Sequence, residues 1–337
     1  MKFVTYVSGN SERLGLFVEG KIYDLQNCAN EIKISLPSDI NTLLDGEDKS
    51  MTQAGKVLKA INDKKIKKFL DADKVKLLAP VPHPKSCRDA YAFRQHVATA
   101  RRNRGVEMIP EFDQFPVFYF TNHNAVFGEG DIIVEKDHLN KLDFELEAAV
   151  VIGKRGKNIG AEEADNYIAG YMVMNDLSAR HLQMEEMRLN LGPAKGKDFA
   201  TVIGPWLVTK EELEKSKIDT QKGEKFDLRM TAYHNGNLIS DGNLKDMNWT
   251  FAEIIERISY GVEIFPGDVI GSGTVGTGCY LELNGTHSLE AKAKDEEFSP
   301  VWLGEGDTIE LEIEGLGRLK NKIAGSKNNY SILAKKK

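Results

Sequence analysis

Cysteine is scarce in this chain: Cys28, Cys87 and Cys279 are the only three in 337 residues. They are far apart and odd in number, which argues against a disulfide framework or a zinc site and makes a reducing cytoplasm the expected compartment. An excess of positive charge is also missing. Lys and Arg total 45 against 51 Asp and Glu, a formal net charge of −6, so there is no electrostatic footprint for nucleic acid. No apolar run approaches the roughly 18 residues a membrane helix needs. The opening MKFVTYVSGN has one lysine and a very short apolar segment, so a first strand is expected there and no secretory leader. Common catalytic signatures are absent: no G-x-S-x-G, no H-E-x-x-H and no phosphate-binding P-loop. Gly271 to Gly276 does satisfy G-x-G-x-x-G, but a dinucleotide site needs a helix next, and TGCYLELNG alternates like a strand. A nicotinamide site is not expected.

What is present is ordinary for a globular protein, 41% hydrophobic and 28% charged. One stretch stands out, from Lys141 to Gln183. Its first half, KLDFELEAAVVIG, alternates charged and apolar residues before an apolar run. Strand side chains alternate faces, so Glu145 and Glu147 should share one, about 7 Å apart. Carboxylates held side by side repel unless a proton or a cation lies between them. GYMVMND reads as a second buried strand ending in Asp176, which would bring a third carboxylate to the same point. Such a hard-oxygen nest suits Mg²⁺ or Ca²⁺. Taken alone, an E-x-E pair is more often a solvated strand face.

Residues 1–80 look like a small N-terminal α/β module. KFVTYV and LGLFVEGKIYDL suggest a meander turning at Glu19-Gly20, and TQAGKVLKAINDKKIKKFLDA a helix. Pro80, Pro82 and Pro84 break regular structure, and a large domain, 81–337, is expected to follow. It opens with RDAYAFRQHVATARRNRG, a turn entering a helix; if Asp89 and His96 are both helical, they share a face. Arg101, Arg102 and Arg104 border GVEMIPEFDQF, a mobile loop by its composition. They are either a solvated helix end or, on the second reading, part of a lid over Arg101–Phe115 that reaches an anionic substrate. From Phe115 onward short strands dominate, with helices chiefly at AEEADNYI and TFAEIIERISYGV and hairpin turns at HNGN and EGLG. The fold class is therefore α+β and β-rich, a rolled or sandwiched sheet.

Five blocks then occur in order: Asp89-x-Tyr91-x-x-x-Gln95-His96; Phe144-Glu145-Leu146-Glu147; Asn175-Asp176-x-Ser178-Ala179-Arg180-x-x-Gln183; Gly196-Lys197-x-Phe199-x-Thr201; and G-S-G-T with L-E-L between Gly271 and Leu283. This series resembles the fumarylacetoacetate hydrolase family across the large domain, and the N-terminal unit resembles the family's first module. The resemblance implies a divalent metal, Mg²⁺ or Ca²⁺ with Mn²⁺ also allowed, held by Asp89, Glu145, Glu147 and Asp176. It implies a base formed by His96 with Glu282, and substrate or oxyanion contacts from Tyr91, Tyr119, Arg180, Gln183, Lys197 and Thr274. Lys197 and Thr201 match positions that border a second cation in some members. A homodimer is implied as well.

The chemistry accounts for these parts. Breaking a carbon–carbon bond between two carbonyls leaves an enolate, which a hard cation stabilises as a Lewis acid. The attacking water needs a base, and histidine titrates near neutral pH. The activity implied is hydrolysis of an anionic 1,3-diketone, first of all fumarylacetoacetate to fumarate and acetoacetate in aromatic amino-acid catabolism. The alternatives are acylpyruvate hydrolysis, or decarboxylation, isomerisation or dehydration of a 2-oxo acid on the same scaffold. Three departures from the animal enzymes bear on the acyl group: Leu177 in place of Trp, Met187 in place of a substrate-contacting Tyr, and FTN after Tyr119.

Overall fold

The computed structural model describes residues 1–333. Two sheets pack face to face. The larger has eleven strands. Its path runs from Leu70–Asp71 through Lys21–Asp24, Ser11–Val18, Lys2–Ser8, Thr201–Val208, Ile168–Asp176, Leu146–Ile152, Val269–Gly271 and Cys87–Ala90 to Phe118–Thr121, with Val126–Phe127 parallel to Thr201–Val208. The smaller has five, ordered Asn237–Asn243, Arg229–His234, Thr308–Ile313, Gly317–Gly325 and Gly130–Val134. Lys2–Ser8 pairs antiparallel with Thr201–Val208, so the N-terminal meander extends the large sheet.

Two hydrophobic cores cover the two faces of the central strands. Leu146, Ala148, Val150 and Ile152 alternate into a core shared with Met230, Ile309, Leu311 and Ile323 of the five-stranded sheet. Ala149 and Val151 point the other way, with Met172, Met174, Ile203 and Val269, into a core capped by N-terminal helical residues such as Leu43, Leu44 and Val57. Burial on both faces is why AAVVI is apolar without interruption, where a one-sided strand would alternate. The β-rich mixed architecture expected from the sequence is observed.

Local signals explain several element ends. Glu19 and Gly20 both take positive φ, 48° and 77°, as do Asn235 and Gly236, 49° and 81°, giving two-residue hairpins that match strand twist. The Phe251–Ser259 helix starts with a capping box between Thr250 and Glu253. Among the described residues no helix is long and apolar enough to cross a membrane.

Several expectations are corrected. The N-terminal helix covers Glu47–Asn62 and stops before KKIKKFLDA. Lys64 adopts φ 58°, Lys65 N donates to Ala60 O and Lys64 N to Ile61 O, a Schellman ending that the lysine run conceals. Asp89 and His96 do not share a helix. Asp89 is on the Cys87–Ala90 strand and His96 on the Arg94–Asn103 helix. YLELNG, expected as a strand, opens the helix Tyr280–Ala293. The Asp143 carboxylate accepts from Tyr280 N at 2.7 Å and Leu281 N at 2.9 Å, satisfying first-turn donors that the helix itself leaves free. A helix therefore does follow Gly271–Gly276. The glycines have another use: a Cβ at Gly271 would lie 2.4 Å from Asp89 Oδ1, at Gly273 2.6 Å from Ala90 O and at Gly276 2.5 Å from Gln95 Cδ. Protein fills the space a pyrophosphate would need.

Candidate active site

The site forms where four neighbouring strands end on one sheet face. In the order Ile168–Asp176, Leu146–Ile152, Val269–Gly271 and Cys87–Ala90, they carry Asp176, Glu147, Gly271 and Asp89. Period-two alternation puts these positions on the face of Met174, Ala149 and Cys87, the side of the second core. Gly271 pairs with Asp89 on one side and Ala149 on the other. Lacking a side chain, it leaves room for the carboxylates of Asp89 and Glu147 to converge. Glu145 lies one residue before the ladder that begins at Leu146, and its N–H is held by Asn175 Oδ1 at 3.0 Å.

The result is a buried cluster in which one oxygen from each of Asp89, Glu145, Glu147 and Asp176 lies within 4.8 Å of the others. Two cations reach it. Lys197, itself buried, donates to Glu145 Oε2 and to Asp176 Oδ2, the latter at 2.8 Å. Arg180 spans Asp143 Oδ2 and Glu145 Oε1, each at 2.7 Å, and donates to Gln183 at 3.0 Å. Burial opposes ionisation of Glu145, yet Lys197 and Arg180 outweigh it and hold this carboxyl below its usual range. Glu147 and Asp89 are pushed up by burial and then by neighbouring carboxylates, Asp89 to about 7. Burial likewise raises Asp176 despite Lys197.

This donor set fits a divalent cation. Two positive side chains face four carboxylates, and Arg180 is shared with a fifth, Asp143. Glu147 Oε2 and Asp176 Oδ1 are buried with no hydrogen-bond partner among the described residues, an expensive state unless a cation takes them. All the donors are oxygens, the preference of Mg²⁺, Mn²⁺ and Ca²⁺.

Beside the cluster, His96 Nδ1 and Glu282 Oε2 lie 2.6 Å apart, both buried. Their helices are locked by Asn103, whose Nδ2 donates to Glu282 O at 2.9 Å and packs on Gly285, where a Cβ would lie 2.5 Å away. Glu282 Oε1 accepts from Thr277 N at 3.0 Å. Among the described residues this leaves His96 Nε2 as the ring atom without a hydrogen bond. The imidazole is near enough to Glu145 to favour its charge.

The remaining sequence-derived candidates gather here too. Tyr91 meets His96 edge-on at 5.8 Å between ring centroids. Tyr119 donates to Asp176 Oδ2, and Thr274 Oγ1 lies 3.4 Å from Glu147 Oε1. Thr201 pairs in register with Asp176. Arg101 folds back on Glu107 O, Arg102 reaches Thr286 Oγ1 at 3.3 Å, and Arg104 bonds Ala100 O at 3.2 Å. None of the three touches the carboxylates in this conformation.

Two residues escaped the sequence reading. Asp143 accepts from Phe144 N, Tyr280 N, Leu281 N and Arg180 Nε, tying the helix of Glu282 to the arginine of the cluster. Burial raises its carboxyl even against Arg180, while four donors aimed at two oxygens match the ionised form. Its one sequence signal was being the first acid of DFELE. Cys279, one residue before that helix, had none.

Known proteins resemble this chain in sequence and in fold. The family model described as fumarylacetoacetate (FAA) hydrolase C-terminal matches residues 85–324. Oxaloacetate tautomerase YisK of Bacillus subtilis (strain 168) is 30% identical over 338 residues, covering 96% of this chain and all of that protein. Two solved structures share the fold across 97% of this chain and 100% of theirs. One is fumarylacetoacetate hydrolase from psychrophilic Exiguobacterium antarcticum, TM-score 0.66 at 23% identity. The other is maleylpyruvate hydrolase from Sphingobium sp. SYK-6 in complex with manganese (II) ion and pyruvate, TM-score 0.67 at 18% identity.

Proposed function

The chain belongs to the fumarylacetoacetate hydrolase family, and from that premise we propose that it is a metal-dependent enzyme of small 2-oxo acids that interconverts the keto and enol forms of an oxaloacetate-like dicarboxylate. The observation that carries this reading is the buried His96–Glu282 pair beside the four-carboxylate cluster, a proton-transfer group next to a place for a Lewis acid. The tautomerase similarity along nearly the whole chain supports isomerisation over the fumarylacetoacetate hydrolysis that the motif blocks alone implied.

A divalent cation held by Asp89, Glu145, Glu147 and Asp176 would polarise the 2-oxo group and stabilise enolate charge. The protein's own part is to move one proton. His96 accepts it at Nε2 from the carbon beside the carbonyl. Glu282, bonded at Nδ1, fixes the tautomer and stabilises the imidazolium. The proton is then returned to the enolate oxygen, so atoms balance with no co-reactant. Arg180 and Lys197 hold Glu145 and Asp176 in place, and burial keeps bulk water from screening the developing charge.

A second reading has its own support. A base that takes a proton from carbon can equally take one from water, and the Asp89-x-Tyr91…Gln95-His96 block favours cleavage of an acylpyruvate or fumarylacetoacetate. One experiment separates the two. Enol oxaloacetate and a set of 1,3-diketo acids are followed by enol absorbance with chromatography of products. Accelerated, chelator-sensitive relaxation of oxaloacetate with no new acid is expected. Cleavage of a diketo acid without any acceleration of that relaxation would replace tautomerisation with hydrolysis.

A further inference from the structure

A second set of metal-capable side chains adjoins the carboxylates. One ligand atom from each of His96, Cys279 and Glu282 lies within 4.8 Å of the other two, and all three residues are buried. Cys279 is fully buried, forms no disulfide and has no hydrogen bond from its thiol among the described residues. It is an unpartnered sulfur facing an imidazole and a carboxylate. The two clusters differ in kind. One offers four oxygens, whereas this one offers nitrogen, sulfur and oxygen, the donors Zn²⁺ and Co²⁺ choose and Mg²⁺ avoids. Tetrahedral zinc holds such atoms about 3.3–3.7 Å apart, so His96 and Glu282, now 2.6 Å apart, separate slightly while the thiol closes in.

We propose that His96, Cys279 and Glu282 form a second cation site selective for zinc-type ions, and that filling it switches the enzyme off. The switching half rests on the base role given to His96 and Glu282 above. The site itself does not. On capture the thiol proton leaves to solvent, a metal–sulfur bond forms, and the thiolate and carboxylate together neutralise the divalent charge. The imidazole and carboxylate are then ligands and no longer available to accept a proton.

The test uses full-length protein with the carboxylate cluster saturated by excess Mg²⁺. Titration with Co²⁺ should produce a near-ultraviolet thiolate-to-cobalt charge-transfer band that saturates at one equivalent and is displaced by Zn²⁺. Cys279→Ser should abolish the band, while Cys28→Ser and Cys87→Ser, altered at buried thiols outside the His96–Cys279–Glu282 group, should keep it. Circular dichroism and Mg²⁺ calorimetry establish that each variant is folded. If Cys279→Ser is not, Cys279→Ala and His96→Gln take its place and must lose the band. No band in the unaltered protein, or a band surviving loss of Cys279, overturns the site. Zn²⁺ should also inhibit the Mg²⁺-loaded enzyme, and at least tenfold more should be needed for Cys279→Ser. A cobalt band without zinc inhibition upholds the site and overturns its link to the base.

Discussion

Glu282→Gln isolates the base pair with little disturbance elsewhere. The amide oxygen can keep the bond that Glu282 Oε1 accepts from Thr277 N at 3.0 Å, so the start of the Tyr280–Ala293 helix should hold. What changes is the 2.6 Å contact to His96 Nδ1. An amide NH₂ placed there donates where the carboxylate accepted. Nδ1 must then become the acceptor, and the ring proton moves to Nε2, the atom required to be bare. Two losses combine: a charge-assisted hydrogen bond of about 1.5–3 kcal/mol, and the wrong tautomer in the resting state. A fall in kcat of about 10²–10⁴ is expected for a disabled general base, equivalent to about 2.7–5.5 kcal/mol of barrier. Steady-state kinetics on the enol substrate, with Mg²⁺ affinity measured by calorimetry, check it. KM and Mg²⁺ binding should change little, since Glu282 is outside the Asp89, Glu145, Glu147 and Asp176 cluster. Glu282→Gln combined with His96→Ala should be scarcely slower than His96→Ala, because members of one relay are not additive. Multiplicative losses in the double variant, or unchanged turnover in either single one, would refute the dyad.

Chelation should remove activity and Mg²⁺ or Mn²⁺ restore it; full turnover in metal-free protein would end the Lewis-acid reading. Glu145→Gln should weaken Mg²⁺ binding sharply in calorimetry, because it removes the carboxylate that stays ionised most readily in the cluster. Asp143→Asn leaves Arg180 a single carboxylate partner and the Tyr280 helix a weaker acceptor, and should cost about 3–5 kcal/mol as a broken buried ion pair, read from the urea midpoint at constant slope. Asp165 is raised to about 6 by burial and by the Glu224 carboxylate. Its folded pKa exceeds the unfolded value, so its contribution to stability is complete below about pH 4 and declines as pH rises through 6. Asp165→Asn should therefore gain stability relative to the parent above pH 6 and not below pH 4, measured by thermal unfolding across pH.

Much of this protein is determined by short-range sequence. Two-sided burial writes AAVVI as an uninterrupted apolar run, and positive-φ pairs place the turns at Glu19-Gly20 and Asn235-Gly236. Alternation puts Glu145 and Glu147 in one cluster, and the five ordered blocks name the family. Only tertiary structure decided the rest. YLEL has strand periodicity, yet it is helical because Asp143, more than 130 residues earlier, accepts its first N–H groups. Asp89 and His96 are seven residues apart but belong to a strand and a helix, so a strand end and a helix face, rather than one surface, deliver them to the site. Arg180, expected to contact substrate, also bridges Asp143 and Glu145, a tie that no local pattern announces. Cys279 looked isolated because spacing along a chain says nothing of approach across it. Local preference governs an element while its own backbone satisfies its hydrogen bonds; where distant side chains do so, the fold is the only place the answer is written.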